Sequence, residues 1–542
     1  MRRFFLIALV VLVALLFGVA WMPIVQARDA LRSGHDAEAV AIADRWSQLH
    51  LWSSQYHQIL AAGYLSMGNA AAARAHLSAI GSVWISALDK SEIARHLFAR
   101  GRYSDFLAYD SASRERHDSD DTLLYRAAAQ AVTNQSDAAA ATFAAINAAN
   151  VDKQKYEQLK VAIDERKRGL PARYVFDRDG RVIAVYYPPT NLVTAADADF
   201  APLVEAKGGA LTIGALVDQI GPNTTIETTL DPFVQKAALA ALGSYRGSLV
   251  AINPQTNEIL AIANSGPIRN RAFENEYEPG SVIKVLTGLN ALSGGANVDS
   301  MFPYVCKGQL MIDGRHFGDW VPQGHGKLDS FEDALAVSCN VFFADLGLHL
   351  GRQRLENFMH AAGFDGQANL GIFQVPLGKT VGRVFNNFET AFFAIGLEHE
   401  EINAIHLAML ASMVANRGVL TTPRLLRLRR SILGDVVATA PQQGRTRIAT
   451  AAAAERMIRA MQAVATQPRG TGRRAPVEGL SLAMKTGTAG DRKAGLEALI
   501  MAFSPVDNPK IAFGVIAEGA GPAEYAGAKI AHDFLTKMKT RL

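Results

Sequence analysis

Three short groups of polar residues carry the side chains that could do chemistry. The first group contains Ser281 and Lys284, three positions apart and directly after the turn pair Pro279-Gly280. A helix that opens here places the hydroxyl and the amine on one face, because residues at i and i+3 are neighbours. A lysine in that place can take the proton of the hydroxyl, so this pair predicts a serine nucleophile with an adjacent base.

The second and third groups add an amide, more hydroxyls and another cation. Ser338 and Asn340 flank one residue on a tight connection after a predicted helix. Lys485 begins an extended segment in which Gly487 lets another backbone or a ligand approach closely. Taken singly, Ser281 suits a helix cap, Asn340 a turn and Lys485 a solvated strand end. Each of these structural roles is favoured when its group is considered in isolation.

The three groups in this order resemble the signature of penicillin-binding proteins and class A β-lactamases. The resemblance extends over about residues 225–542, through segments such as TTLDPFVQKAALAAL, GSLVAINPQTNEILAIANSG, NRAFENEYEPGSVIK and MKTGTAG. DRDGRVIAVYY is similar to the hairpin that precedes the transpeptidase domain of the high-molecular-mass members. No stretch resembles a glycosyltransferase domain, so the chain resembles the monofunctional, class B-like transpeptidases.

The resemblance implies a role for each polar residue. Ser281 would be the acyl-enzyme nucleophile that attacks the carbonyl between the two terminal D-alanines of a peptidoglycan stem peptide, and Lys284 would take its proton. Ser338 would relay a proton to the leaving D-alanine, and Asn340 would bind the peptide's amide. The N–H groups of Ser281 and Thr488 would form the oxyanion hole. The third group would bind the substrate and its terminal carboxylate through Lys485, Thr486, Gly487 and Thr488.

The base assignment makes a prediction about charge. No His or carboxylate lies in the three groups, so we expect Lys284 to be neutral in the resting protein. The pKa of Lys284 should be lowered by about three units through burial and the charge of Lys485.

Two departures from the family pattern concern the shape of the cleft: Met484 replaces a common Gly, and Gly396-Leu-Glu-His399 replaces a G-Q-G-like turn.

The implied activity is a D,D-transpeptidase that cross-links peptidoglycan and is acylated by β-lactams. A D,D-carboxypeptidase or a β-lactamase shares the acylation step, although no motif supplies the deacylating water of a β-lactamase. A non-catalytic cell-wall scaffold is the alternative from another class. We expect no cofactor and no metal: His399-Glu-Glu-Ile-Asn403 fails the H-E-x-x-H pattern, and His325 and His406 are lone residues suited to structural roles.

Strands and helices alternate from residue 227 to 542, which predicts an α+β domain with an antiparallel sheet flanked by helices. The patterns predict strands over 248–252, 259–263, 499–503 and 511–517, and helices over 233–242 and 526–538. Residues 167–226 precede this domain as a connecting segment. Within it, residues 173–187 predict a hairpin, and residues 188–226 an extended connection with short elements.

Residues 27–166 are rich in Ala and Leu and lack Pro, which predicts helices throughout. The turn candidates Gly34, Gly68, Gly101 and Asn134 are 34, 33 and 33 positions apart. This period resembles tetratricopeptide repeats, and an irregular helical bundle is the alternative. A repeat array predicts a surface for a protein partner that takes no part in the active site.

Residues 4–22 form an apolar run that follows Met1-Arg2-Arg3. As a helix the run spans roughly 28 Å, which fits a bilayer core. We therefore assign residues 1–26 to a transmembrane anchor. The preceding arginines predict a single-pass protein of the cytoplasmic (inner) membrane with its catalytic domain in the periplasm. A signal peptide cleaved after Val25-Gln26-Ala27 is the alternative.

Composition excludes other classes. With 49% hydrophobic and 20% charged residues the chain is an ordinary globular protein, not a disordered or fibrous one. Its net charge of +4 lacks the concentrated positive field of a nucleic-acid binder. The two cysteines, Cys306 and Cys339, are too few for a disulfide framework, and we expect buried free thiols, with pairing in an oxidising compartment as the alternative.

Overall fold

The computed structural model describes residues 18–19, 21–48, 52–80, 88–113, 118–133, 135–168, 173–187, 192–205, 225–266, 270–274, 276–371, 374–382, 386–439, 444–490 and 495–542. Among these residues, no helix combines the length and the apolar character needed to cross a membrane. Most of the apolar run over residues 4–22 lies outside the described ranges, as do Asn134 and most of the predicted connection over 188–226.

The N-terminal region is helical between short turns, as predicted. Residues 21–32 are helical, and the helices that follow are α1 (Asp36–Ser47), α2 (Ser53–Ser66), α3 (Ala70–Ala79), α4 (Lys90–Phe98), α5 (Tyr103–Ala112), α6 (Asp120–Val132), α7 (Ser136–Ala144) and α8 (Lys153–Lys167). Several begin at side-chain caps; the Asn69 side chain, for example, accepts a hydrogen bond from Ala72 N.

Glycines join these helices at the predicted period. Gly34, Gly68 and Gly101 have φ of +81°, +81° and +69°, a left-handed conformation that allows the sharp turn between two helices. The helix–turn–helix period is therefore present at the three described turns. Whether the region belongs to the tetratricopeptide class stays a prediction.

The helical region has its own core and pairs its buried charges. Alanines such as Ala61 and Ala62 are fully buried, so neighbouring helices approach closely. The Lys90 side chain is 4% exposed, and its Nζ lies 3.3 Å from Asp110 Oδ1 and 3.0 Å from Asp118 Oδ1. This ammonium group is thus buried with two carboxylates.

A six-stranded sheet follows, and it contains the predicted hairpin, whose strands pair antiparallel. Its strands are β1 (Arg173–Phe176), β2 (Val182–Tyr187), β3 (Leu192–Ala195), β4 (Thr225–Thr228), β16 (Leu426–Arg430) and β17 (Val436–Thr439), with the short helix α9 (Ala201–Glu205) after β3. The strands lie side by side in the order β17-β16-β4-β1-β2-β3. The sheet thus combines the connecting segment with a hairpin from much later in the chain, which the sequence patterns did not predict.

The tip of the β16–β17 hairpin packs into the helical region. Leu433 is 1% exposed and belongs to the apolar core of that region. Asp435 forms an ion pair with Lys155 and accepts a hydrogen bond from Tyr125 Oη at 3.3 Å. The helical region and the six-stranded sheet are therefore in direct contact.

The second sheet is five-stranded and antiparallel. Its strands contain all four predicted ones and are β5 (Arg246–Asn253), β6 (Glu258–Ser265), β19 (Ala483–Ala489), β20 (Glu497–Ser504) and β21 (Ile511–Glu518). They lie in the order β19-β20-β21-β5-β6. Both of its faces are covered by helices. Gly514 lies against Ala404 and Leu407, whereas Ile500 lies against Gly527, and the alternation of side chains puts these contacts on opposite faces.

The remaining helices complete the α+β domain. They are α10 (Pro232–Leu242), α11 (Arg271–Glu274), α12 (Lys284–Ser293), α13 (Phe331–Ala336), α14 (Asn340–Leu350), α15 (Arg352–Ala361), α16 (Asn387–Phe393), α17 (Ala404–Ala415), α18 (Ala451–Thr466) and α19 (Ala526–Met538). Short two-stranded pairs connect them: β7 (Tyr304–Cys306) with β10 (Gly326–Leu328), β8 (Gln309–Ile312) with β9 (Arg315–Gly318), β11 (Gln367–Asn369) with β12 (Gln374–Pro376), β13 (Lys379–Thr380) with β14 (Glu400–Glu401), and β15 (Val419–Thr421) with β18 (Arg445–Arg447).

Candidate active site

Ser281 lies on a turn of 3-10 helix, Gly280–Ile283, that leads directly into α12. Gly280 has φ of +55°, and its N–H donates to Gly396 O at 2.8 Å. A Cβ atom at this position would lie 2.6 Å from Thr488 O, so only glycine fits. The predicted turn therefore holds the first group directly against the third.

The second group lies in the tight connection between α13 and α14. Ser338 adopts φ of +56°, an uncommon left-handed conformation for a residue with a side chain. Cys339 caps α14, since its Sγ accepts a hydrogen bond from Phe342 N at 3.3 Å. This sharp reversal directs the polar atoms of Ser338 and Asn340 toward Lys284.

The third group lies on β19, an edge strand of the five-stranded sheet. A Cβ atom on Gly487 would lie 2.6 Å from Pro279 O. Glycine is therefore required at this position because another backbone approaches closely, as predicted. Thr486 Oγ1 lies 2.7 Å from Thr471 Oγ1, and Thr488 Oγ1 accepts a hydrogen bond from Ala523 N at 3.0 Å.

Two fully buried lysines meet at one hydroxyl. Lys284 Nζ donates to Ser338 O at 2.8 Å and to Asn340 Oδ1 at 2.5 Å, and lies 3.3 Å from Ser338 Oγ. Lys485 Nζ donates to the same Ser338 Oγ at 2.9 Å and to Thr486 O at 2.8 Å. Among the described residues, no carboxylate oxygen lies within ion-pair distance of either ammonium group. Ser338 therefore links the two amines.

Burial lowers the pKa of both lysines. The pKa of Lys284 falls to about 8 through burial, although the charge of Asp319 and the two nearby thiols raise it. The pKa of Lys485 falls well below its usual value through burial and the nearby charge of Lys284. The pKa of Lys284 is lowered through burial, as predicted, and its neutral resting state stays a prediction. Lys284 has the carboxylate of Asp319 in its surroundings, whereas Lys485 has another cation.

A cleft of about 310 Å³ opens over these groups. Ser281 is half-buried at its wall, and none of the hydrogen bonds among the described residues engages its hydroxyl. The described lining residues come from all three groups and from neighbouring loops: Gly280, Ser281, Trp320, Ser338, Asn340, Ile395, Leu397, Thr471, Thr486, Thr488, Leu496, Pro522 and Glu524. Lys284 and Lys485 are buried beneath the cleft, so the structure brings together all the predicted site residues. Their individual catalytic roles stay predictions.

The two departures from the family pattern have different consequences. Met484 is fully buried, and its side chain packs against Gly472, so it is not among the described residues of the cleft wall. Leu397, from the turn that replaces G-Q-G, lines the cleft. This turn therefore contributes an apolar side chain to the substrate-facing surface.

A cluster behind the second group was not predicted. The ligand atoms of Cys306, Asp319 and Cys339 lie within 4.8 Å of one another, and this is the one such group of three in the described part of the chain. His325 Nε2 lies 3.1 Å from Asp319 Oδ1. Both thiols are free and buried, as expected, and the hydrogen bond with Cys339 lowers the pKa of Cys306 to about 6.

These side chains are of the types that Zn²⁺ prefers, so the cluster could hold a metal ion, which the sequence analysis did not expect. Asp319 Oδ2 also accepts a hydrogen bond from Val341 N at 3.1 Å, which attaches the cluster to the start of α14. Cys306, Asp319, His325 and Cys339 are 13, 6 and 14 residues apart in the chain, a spacing without a short motif.

The other lone histidine, His406, is structural: its Nδ1 accepts a hydrogen bond from Gly378 N, and its Nε2 bonds to Ala362 O.

Comparison with known families agrees with this geometry. The penicillin binding protein transpeptidase domain matches residues 247–538, more than half of the chain. The chain belongs to this transpeptidase family. The match covers the three groups and both flanking sheet edges, and the helical region lies outside it.

Individual relatives share the domain at moderate identity. The peptidoglycan D,D-transpeptidase PbpA of Mycolicibacterium smegmatis is 29% identical over 340 residues, which cover 55% of this chain and 67% of the relative. The peptidoglycan D,D-transpeptidase MrdA of Acinetobacter baumannii is 28% identical over 366 residues, 57% of this chain and 54% of that protein.

Solved structures show the same fold. Penicillin-binding protein A from M. tuberculosis, as a ceftriaxone acyl-enzyme complex, superposes with a TM-score of 0.61 at 19% identity and covers 69% of this chain and 99% of that one. Pseudomonas aeruginosa PBP2, in complex with WCK 5153, gives a TM-score of 0.58 at 23% identity and covers 68% and 94%. The fold of the C-terminal α+β region is therefore that of penicillin-binding proteins.

Proposed function

We propose that this chain is a serine D,D-transpeptidase that cross-links peptidoglycan stem peptides through an acyl-enzyme on Ser281 and is acylated by β-lactams. One observation carries the proposal: Ser338 Oγ joins two buried amines, Lys284 and Lys485, directly beneath the cleft that Ser281 lines. Family membership and the relatives named as D,D-transpeptidases support the same activity.

We propose a route for the proton in which Lys284, which begins the helix directly after the Ser281 turn, is the base. The Ser281 hydroxyl attacks the carbonyl carbon of the penultimate D-alanine, and the neutral fraction of Lys284 takes the hydroxyl proton. The tetrahedral intermediate collapses, the peptide C–N bond breaks, and the departing amine receives a proton through Ser338 Oγ. Lys485, Thr486 and Thr488 bind the substrate's carboxylate, whose negative charge restores the proton affinity of Lys485.

The second half of the reaction distinguishes the alternatives. An amine from another stem peptide attacks the Ser281 ester in a transpeptidase, whereas water attacks it in a carboxypeptidase or a β-lactamase. A scaffold without activity would not need two buried, unpaired lysines, because each costs folding free energy. The relatives named as D,D-transpeptidases favour the amine acceptor.

Replacing the nucleophile tests the proposal. Ser281→Ala should abolish covalent labelling by a fluorescent penicillin on a denaturing gel, while the thermal unfolding of the protein stays unchanged. Ser300→Ala removes an exposed hydroxyl outside the cleft and should label like the wild type. Labelling of the Ser281→Ala variant would contradict the assignment.

We also propose that residues 4–22 anchor the protein in the cytoplasmic membrane with the catalytic domain in the periplasm. The apolar run behind Arg2-Arg3 supports this orientation. A reporter active only outside the cytoplasm should work when fused after residue 30, and the protein should remain in the membrane pellet after a salt wash. Release of a soluble form beginning near Arg28 would favour a cleaved signal peptide.

We propose a protein partner for the helical region over residues 27–166. None of the described residues that line the cleft comes from this region. Its own apolar core and its regular helix–turn–helix period support a separate binding role.

A further inference from the structure

The described wall of the cleft contains one ionisable side chain, Glu524. The two lysines are buried beneath the wall and are not exposed in it. Glu524 is half-buried, and within the described part of the chain no ion pair or hydrogen bond engages its carboxylate. Its negative charge is therefore available to a molecule that occupies the cleft.

The backbone around Glu524 is held in place by the active site itself. Ala523 N donates to Thr488 Oγ1 at 3.0 Å, which ties the preceding residue to the third catalytic group. Gly521 N donates to Leu496 O at 3.0 Å, and Tyr525 N donates to Pro522 O at 3.0 Å. Because its backbone is fixed on both sides, Glu524 is positioned before a ligand arrives.

Glu524 shares the cleft wall with an aromatic side chain. Trp320 also lines the cleft, is 48% exposed, and has its indole N–H donating to Val337 O at 3.3 Å. An oriented aromatic ring adds attraction for a positive group.

We propose that Glu524 is a specificity residue that binds an ammonium group on the acyl donor. The inference rests on the proposed transpeptidase function and assigns a preference to the same cleft. Glu524 attracts a substrate ammonium and disfavours a carboxylate in the same place. It takes no part in the bond-making steps at Ser281.

Three penicillins with one core test this charge preference. Benzylpenicillin has no charge on its side chain, whereas ampicillin carries an α-ammonium and carbenicillin an α-carboxylate. Second-order acylation rates of the full-length protein give a ratio of ampicillin to carbenicillin. In Glu524→Gln this ratio should fall about fivefold, which corresponds to about 1 kcal/mol, with benzylpenicillin changing less than about twofold.

Two variants control the experiment. Glu478→Gln makes the same change at an exposed position outside the cleft and should leave the ratio unchanged. Glu524→Asp keeps the charge and should retain most of the wild-type preference. In the wild type, the ratio should also shrink as ionic strength rises.

The outcomes separate the two proposals. If no penicillin acylates the wild-type protein, the transpeptidase function fails and this inference fails with it. If the wild type is acylated but Glu524→Gln keeps the wild-type ratio, only the charge preference is overturned. An equal loss for all three penicillins in Glu524→Gln would show a structural role for Glu524 and would overturn the inference as well.

Discussion

The helical region and the transpeptidase domain bury lysines in opposite ways. Lys90 in the helical region lies between Asp110 and Asp118, and Arg126 completes this network with bonds to both carboxylates. Lys284 and Lys485 are bonded instead to a hydroxyl, an amide oxygen and backbone carbonyls. In the helical region, the buried ammonium group of Lys90 lies beside carboxylates of opposite charge. In the transpeptidase domain, the hydrogen-bond partners of the two buried amines carry no negative charge.

This difference shows which buried cation can change its protonation state. A carboxylate beside an ammonium group favours the charged form, whereas burial without one favours the neutral form. The lowered pKa values of Lys284 and Lys485 follow from that rule. Lys90 is therefore suited to structure, and the two cleft lysines are suited to proton transfer.

Among changes to the buried lysines, the largest effect on acylation is expected from Lys284→Arg. Arginine keeps the positive charge but cannot give up its proton, so acylation by penicillin should slow at least about a hundredfold. Stopped-flow measurement with a fluorescent penicillin checks the rate. Lys510→Arg, at an exposed position, is the matched control and should react like the wild type. A Lys284→Arg rate close to wild type would move the search for the base to Ser338.

A smaller effect is expected from pH. With a pKa of about 8, the neutral fraction of Lys284 is about one in ten at pH 7 and about nine in ten at pH 9. Acylation should therefore rise about tenfold across this range, because only the neutral amine accepts a proton. Asp319→Asn should move the midpoint to lower pH, since the Asp319 charge raises the pKa of Lys284. A rate that does not change between pH 7 and pH 9 would remove Lys284 as the base.

No effect on acylation is expected from Lys90→Met, although stability should fall. Removing the ammonium leaves Asp110 and Asp118 without one partner each, which costs about 2 kcal/mol. Urea unfolding followed by circular dichroism measures this loss, and penicillin acylation of the folded variant should stay within about twofold. Lys160→Met, at an exposed position of α8, should change neither. Loss of acylation in folded Lys90→Met would show that the helical region shapes the cleft.

Local patterns were sufficient to predict the elements and the membership of the site. Period and alternation predicted the helical region and the strands of the five-stranded sheet, because each depends on neighbouring residues. The resemblance to the penicillin-binding signature predicted that Ser281, Ser338 and Lys485 belong to one cleft region. Gly487 could be interpreted in advance because a close backbone approach leaves room only for glycine.

Properties set by contacts between distant residues could not be predicted. The Cys306, Asp319 and Cys339 cluster joins positions with no short motif between them. The pKa of Lys284 depends in part on Asp319, a residue outside all three groups. Glu524 reaches the cleft through a loop bonded to Thr488, and sequence spacing does not reveal that bond.

The strand β16 connects the five-stranded sheet to the helical region. Just before β16, Arg424 N donates to Asn257 O at 2.9 Å. The Arg424 guanidinium also donates to Glu258, at the β5–β6 turn of the five-stranded sheet. Past the end of β16, Leu433 is buried in the helical region. The five residues of β16 lie between these two contacts and span roughly 17 Å at about 3.3 Å per residue. The β16–β17 hairpin therefore links the β5–β6 turn of the five-stranded sheet to the core of the helical region through one short stretch of chain.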